Sequence, residues 1–438
     1  MDGLVMTAQL ILGLSILVGV HEWGHMAAAK FFGMRVEKFS IGFPPKIWGF
    51  QYGETEYSIG AIPLGGFVKI SGMIDESLDT KNMKAEPDPW EFRAKPAWQR
   101  LIVMMGGIIV NVITGILIFI GIFFSQGESF VPKEELNKNG ILAYELGQEI
   151  GFQTGDKVLE VNGKDFEKFI DLVSPEAIMS DNGSYLVQRG SEKITVNIPI
   201  TFLDRYADKD SKGRFIDYME PFEVGQIMPG TGAAKGGLEE GDKFISINGQ
   251  DVTFFHQFKE VVGDHKNGEI SAIIDRNGIE KSLTIQVDEE GVLGFSRVPL
   301  INYAHRDYNF VEAVAKGTDE AFNKVWVNIL GFGKIFRGEV SVQKSLSGPI
   351  KIAQIYGGTW SWYRFWNITG LLSMILAFMN FLPIPALDGG HVVFLTYEIV
   401  SGRKPSDKFL ENAQKVGMVL LLGIMGFAIF NDIFQSIF

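Results

Sequence analysis

Leu14-Ser-Ile-Leu-Val-Gly-Val-His21-Glu22-Trp23-Gly24-His25-Met-Ala-Ala-Ala-Lys30 decides how this chain is understood. The stretch lies in an apolar run from about Leu4 to Phe32. That run is long enough to cross a bilayer as a helix, which takes roughly 20 residues. Ionisable side chains inside such a span are costly unless paired or bound to metal. On a helix His21 and His25 share one face, so both imidazoles can hold one ion. Glu22 then stands beside that ion, able to take a proton from an attacking water and return it to a leaving amine. The chain has only six His in 438 residues, and two of them fall here. The spacing predicts a metal centre inside a membrane helix.

Two His are too few, because a catalytic zinc usually has three protein ligands and a water. With no Cys in the chain, the third must be His or a carboxylate. A second apolar run, about Trp366 to Leu387, ends in Asn380-Phe-Leu-Pro383-Ile-Pro385-Ala-Leu-Asp388-Gly-Gly-His391. The prolines break the helix there, and Gly389 and Gly390 let backbones approach. Asp388 can close a His₂Asp site, and His391 competes for the same role.

Two further runs, about Leu101–Phe124 and Val416–Phe434, complete four expected spans. Hydrophobic residues make up 46% of the chain and charged residues 21%, which fits spans carrying water-facing modules. The formal charge of −12 excludes a basic nucleic-acid footprint. The start, Met1-Asp2-Gly3, lacks the basic residues of a secretory leader and is taken as part of a retained span. Ten Lys/Arg fall between Lys30 and Arg100, and Arg403, Lys404, Lys408 and Lys415 precede the last span. By the positive-inside rule both connections are cytoplasmic, and both termini and the 125–357 region lie outside. The first connection holds two β-rich runs flanking Gly65-Gly66, which predicts a hairpin or a reentrant β-loop over about 52–72.

The outer region repeats itself. Gly151-Phe-Gln-Thr-Gly-Asp-Lys-Val-Leu-Glu-Val-Asn-Gly163 and Gly237-Leu-Glu-Glu-Gly-Asp-Lys-Phe-Ile-Ser-Ile-Asn-Gly249 share one pattern: a helix end, a Gly-Asp turn, a strand and an Asn-Gly turn. Two tandem PDZ domains are expected, at 126–206 and 220–297. Such folds bind extended peptides or C-termini at a sheet edge, or here serve as spacers and steric filters. Beyond them, in 305–357, Phe310, Val314, Phe322, Val325, Trp326, Ile329, Phe332 and Phe336 recur at helical spacing. They predict an amphipathic helix in contact with membrane lipid at the outer surface. Spans three and four then occupy 358–438.

Together these elements resemble the site-2 protease family of intramembrane metalloproteases. The likeness rests on His21-Glu22-x-x-His25, on Asn380-x-x-Pro383-x-Pro385-x-Leu387-Asp388-Gly389, and on PDZ insertion between spans two and three. It covers essentially the whole chain. It implies a Zn²⁺ held by His21, His25 and Asp388, with Glu22 as catalytic base. Asn380 matches a family asparagine that positions substrate or stabilises the oxyanion. Asn111, in Gly106-Gly-Ile-Ile-Val-Asn111, resembles a second-span Gly-x-x-x-Asn element placed with substrate, although Gly107 stands where a proline is often found. The loop at Gly65 and Gly66 resembles a reentrant β-element that clamps substrate as a strand. The implied activity is cleavage of single-span membrane proteins, such as anti-sigma factors or remnant signal peptides, in a bacterial inner membrane. The zinc is expected nearer the cytoplasmic side. The alternative is a membrane-anchored PDZ adaptor that does not cut, against which the retention of Glu22 argues.

Overall fold

The computed structural model describes residues 2–73, 86–208, 213–345 and 348–437. Lys81 and Lys84, counted above in the first connection, lie outside the described residues. The chain divides into two compact units. One holds Met1–Gly127, Asp307–Phe336 and Ser341–Phe438, and the other holds Glu128–Arg306 with Arg337–Val340.

The first unit is built from α1 (Asp2–Phe31), α2 (Ala97–Gln126), α3 (Phe310–Phe336), α4 (Pro349–Tyr356), α5 (Trp362–Phe381), α6 (Asp388–Ser401) and α7 (Asp407–Ile437). Among the described residues, three stretches are long and apolar enough to cross a membrane: α1, α2 and Lys408–Phe434 of α7. The expected third span becomes the 20-residue α5, which carries Arg364, Asn367, Thr369, Ser373 and Asn380 and falls outside that set. Pro383 and Pro385 cannot continue a helix, so the chain turns and restarts as α6 at Asp388.

Small residues set how closely these helices pack. A Cβ on Gly24 of α1 would stand 2.4 Å from the Gly106 carbonyl oxygen of α2, so the two backbones nearly touch. α3 buries Ala313, Gly317 and Ala321, at i, i+4 and i+8, and a Cβ on Gly317 would stand 2.5 Å from the Ile120 nitrogen. The aromatics that announce this helix in the sequence face the other way: Phe310, Phe322, Trp326 and Phe336 are exposed. α3 therefore packs along α2 and α5 within this unit, with its small-residue stripe inward, as membrane helices do where only close contact drives association.

β1 (Val36–Tyr52) and β2 (Thr55–Ile70) form a curled sheet beside α1. The turn between β1 and β2 is Gly53-Glu54, with Gly53 at φ +58, and each strand also folds back on itself. Within β2 the chain turns back between Ile59 and Gly66, where a reversal is expected: Glu56–Ile59 runs parallel to Lys38–Ile41 and pairs on its other side with Trp48–Gln51, whereas Gly66–Ile70 runs antiparallel to Val36–Ile41. Gly66 closes this reversal and also permits a close approach. A Cβ on Gly66 would come within 2.6 Å of both the Ser40 carbonyl oxygen and Val18 Cγ1 on α1.

The second unit shows the repeat in three dimensions. Its first copy has β3 (Ile141–Ala143), β4 (Lys157–Val161), β5 (Ser184–Arg189), β6 (Glu192–Asn197) and β7 (Ile216–Tyr218). The second has β8 (Phe222–Ile227), β9 (Lys243–Ile247), β10 (Glu269–Arg276), β11 (Ile279–Gln286) and β12 (Phe295–Pro299). β3 pairs with β7 as β8 pairs with β12, and β4–β5–β6 form a meander as β9–β10–β11 do. Each copy has its own core, around Phe152, Tyr185, Phe202 and Phe215 in one and Phe222, Phe244 and Phe258 in the other.

The shared motif residues build one device twice. Arg189 clamps the buried Asp156 through Nε and Nη2 at 2.8 and 2.7 Å, and Arg276 clamps the buried Asp242 at 2.7 Å through each nitrogen. The same Nη2 groups donate to Gly151 O and Gly237 O, both at 2.8 Å. Asn162 and Asn248 take the left-handed turn positions at φ 52 and 50. Their Oδ1 atoms accept the backbone N–H of Ser184 and Ser271.

Candidate metal centre

α1 places His21 and His25 one turn apart, with their Nε2 atoms 3.2 Å from each other and the rings edge to face. Asp388 arrives from 363 residues beyond His25, as the first residue of α6. Its Oδ2 lies 3.2 Å from His21 Nε2 and 3.3 Å from His25 Nε2. The three candidate ligand atoms thus form a nearly equilateral triangle. A tetrahedral zinc with bonds of about 2.0–2.1 Å spans edges of about 3.3–3.4 Å, so the triangle is the right size.

The hydrogen positions argue the same way. His25 Nδ1 lies 2.8 Å from the Val103 carbonyl oxygen, which can only accept, so Nδ1 carries the hydrogen and Nε2 presents a lone pair. Asp388 Oδ2 is buried with no hydrogen-bond partner. Electron pairs converging on one buried point are expensive unless a cation sits among them. The donor set, two imidazoles and a carboxylate, suits zinc.

The backbone around Asp388 is shaped for this approach. Ala386 takes φ +78, an uncommon conformation for a residue with a Cβ, just before the ligand. A Cβ on Gly389 would stand 2.2 Å from the Leu382 carbonyl oxygen, so α6 can begin only this tightly with glycine there. Arg100 of α2 pairs with Glu398 of α6 at 2.5 Å and ties the far end of α6 to the same scaffold.

A cavity of about 730 Å³ opens on the triad. Glu22, Gly66, Asn380 and His391 line it together with His21, His25 and Asp388. Glu22 is thus next to the ligands and beside strand residues Gly66–Ile70. Asn380 Nδ2 lies 3.3 Å from His21 Nε2, on the ligand face of the ring. His391, the competing third ligand, shares the cavity but stands outside the group of three ligand atoms.

Asn111 does not match the expectation that it meets substrate. It is fully buried, lies behind His21 with Nδ2 3.1 Å from Nδ1, and is not among the cavity-lining residues. Gly65 is not among them either; a Cβ there would strike the Phe43 ring at 2.4 Å. Sequence reasoning missed the Val103 carbonyl and the Gly24–Gly106 contact. The Gly106-Gly107 pair was the available signal of close helix approach.

The sequence profile of peptidase family M50 matches residues 9–424. The chain belongs to this family. It is similar along its length to curated relatives. A putative zinc metalloprotease of Vibrio cholerae is 29% identical, over 96% of this chain and 97% of its own length. The regulator of sigma-E protease RseP of Salmonella typhimurium is 29% identical, and that of Escherichia coli K12 is 28% identical, each over 97% of both chains. Family membership and these relatives make the chain a zinc metalloprotease of the site-2 type, embedded in a membrane, with three apolar helices suited to a bilayer.

Proposed function

We propose that this M50 peptidase is a site-2-type zinc metalloprotease that cuts single-span membrane proteins within the bilayer. The observation that carries the reading is the His21–His25–Asp388 triangle, formed where Asp388 of α6 meets the buried histidines of the apolar α1, with Glu22 beside it in one cavity. Bound there, zinc would supply Lewis-acid polarisation of the scissile carbonyl and acidify the attacking water. Glu22 takes the proton of that water and delivers it to the leaving nitrogen. Asn380, on the ligand face of His21, donates to the developing oxyanion.

A membrane helix hides its peptide bonds, because every backbone group is already paired. The substrate must unwind, and strand residues Gly66–Ile70 on the cavity wall offer it an edge to pair with. α5 with the broken turn serves as the fourth span, giving four spans with the basic connections cytoplasmic and the termini outside, in a bacterial inner membrane. The two repeat copies act as outer PDZ-type domains that turn away substrates with bulky outer parts. Anti-sigma factors fit the substrate class, in line with the names of the sigma-E protease relatives.

The test is cleavage of a single-span reporter in membranes by wild type and Glu22→Gln, with zinc measured in both. Cleavage by wild type alone, with zinc retained in both, is expected. Equal processing by the two would remove Glu22 from the chemistry, and zinc absent from both would favour the adaptor. Excising Glu128–Arg306, whose ends are held together by the Glu128–Phe130 and Ala304–Arg306 strands, should admit substrates with intact outer domains. Unchanged selectivity would end the filter reading.

A further inference from the structure

α2 presents Val103, Gly107 and Asn111 at i, i+4 and i+8, which places them on one face. That face lies against the two imidazoles. The Val103 carbonyl oxygen is 2.8 Å from His25 Nδ1, and Asn111 Nδ2 is 3.1 Å from His21 Nδ1. Between them, a Cβ on Gly107 would stand 2.4 Å from His25 Nε2 and 2.6 Å from His21 Cε1. One helix face therefore meets the Nδ1 side of both rings through Val103 and Asn111, and at Gly107 it leaves room for the rings themselves.

We infer that Asn111 is a positioning residue whose amide oxygen accepts the Nδ1–H of His21, fixing the tautomer that aims Nε2 at the metal. The inference rests on the zinc reading above. If Nε2 is the ligand atom, the neutral ring carries its hydrogen on Nδ1 and needs an acceptor behind it. As placed, the amide turns its donor end to that hydrogen and leaves Oδ1 buried without a partner. The two ends of an amide have the same shape, so rotating it by a half-turn puts the orphaned oxygen on Nδ1–H. His25 is already held this way by a carbonyl oxygen, and Asn111 supplies the matching acceptor for His21. The backbone oxygen of Asn111 accepts the Ser373 hydroxyl at 2.8 Å, which anchors the residue to α5 independently of its side chain.

The experiment measures zinc affinity of the full-length protein in detergent by competition with a chromophoric chelator, and records the visible spectrum of the cobalt-substituted protein. The set is wild type, Asn111→Leu, Asn111→Asp, Ser373→Ala and His21→Ala. Asn111→Leu should weaken zinc about 10- to 100-fold and alter the cobalt band. Asn111→Asp, which keeps an acceptor, should stay close to wild type in both. Ser373→Ala should lower thermal stability with zinc affinity unchanged. Wild-type affinity in Asn111→Leu would overturn the inference, as would equal loss in the Leu and Asp variants. If His21→Ala binds zinc as wild type does, the metal reading itself fails, and this inference with it.

Discussion

Gly24→Ala adds one methyl group at the tightest point between α1 and α2. The new Cβ would stand 2.4 Å from the Gly106 carbonyl oxygen, 2.7 Å from its carbon and 3.0 Å from Gly107 Cα. All three are backbone atoms, so no side chain can swing away. Restoring an ordinary contact of 3.4 Å requires the helices to part by about 1 Å. Alanine favours an isolated helix by about 1 kcal/mol over glycine. Overpacking a closely fitted contact costs about 1–3 kcal/mol, so the clash outweighs the gain. The functional effect exceeds the stability effect. A shift of that size takes His25 Nδ1 from 2.8 Å to beyond bonding distance of Val103 O, and carries His21 and His25 off Asp388. A misplacement of about 1 Å can lower a rate about 10²-fold. Reporter cleavage in membranes, zinc per purified chain and a thermal melt check this together. Gly121→Ala, on the same α2 with no atom within 4 Å of its Cβ, is the control and should behave as wild type. Wild-type cleavage and zinc content in Gly24→Ala would refute the claim that backbone contact at Gly24 sets the metal centre.

Other consequences follow from the same geometry. Asp388→Ala removes one corner of the ligand triangle, and zinc content measured by elemental analysis should fall well below one ion per chain. His391→Asn should keep its zinc, because His391 lines the cavity without joining the triangle. Arg276→Leu strands the buried Asp242 carboxylate in the second repeat copy and should cost that unit on the order of 3–5 kcal/mol, seen as a lower melting temperature. The single-ended change at Glu239, the more exposed partner of Arg276, should cost far less.

Much of the site was legible because its signals are local. The i, i+4 histidines, the proline break and the Asn-Gly turns are dictated by helix period, missing N–H groups and backbone freedom over a few residues. Gly65-Gly66 stands at the expected reversal and does more than that. Glycine marks both reversals and close contacts, and only the neighbours, here Val18 and Ser40, show that Gly66 serves a contact as well. α3 was legible in part. Its large aromatics signalled the helix but not its packing face, because in a membrane unit the small residues make the contacts.

The sequence by itself determined three of the four expected membrane helices, the repeat, the paired histidines with their glutamate, and the carboxylate available to join them. The tertiary structure alone brought Asp388 rather than His391 against the two histidines, placed Asn111 beside His21 Nδ1, and supplied Val103 O and the Gly24–Gly106 contact. The physical reason is range. Periodicity and turn chemistry act over a handful of residues. Which atoms of positions 21, 103, 111 and 388 share a few cubic ångströms depends on how closely whole helices can approach, and that closeness is a property of the packed bundle.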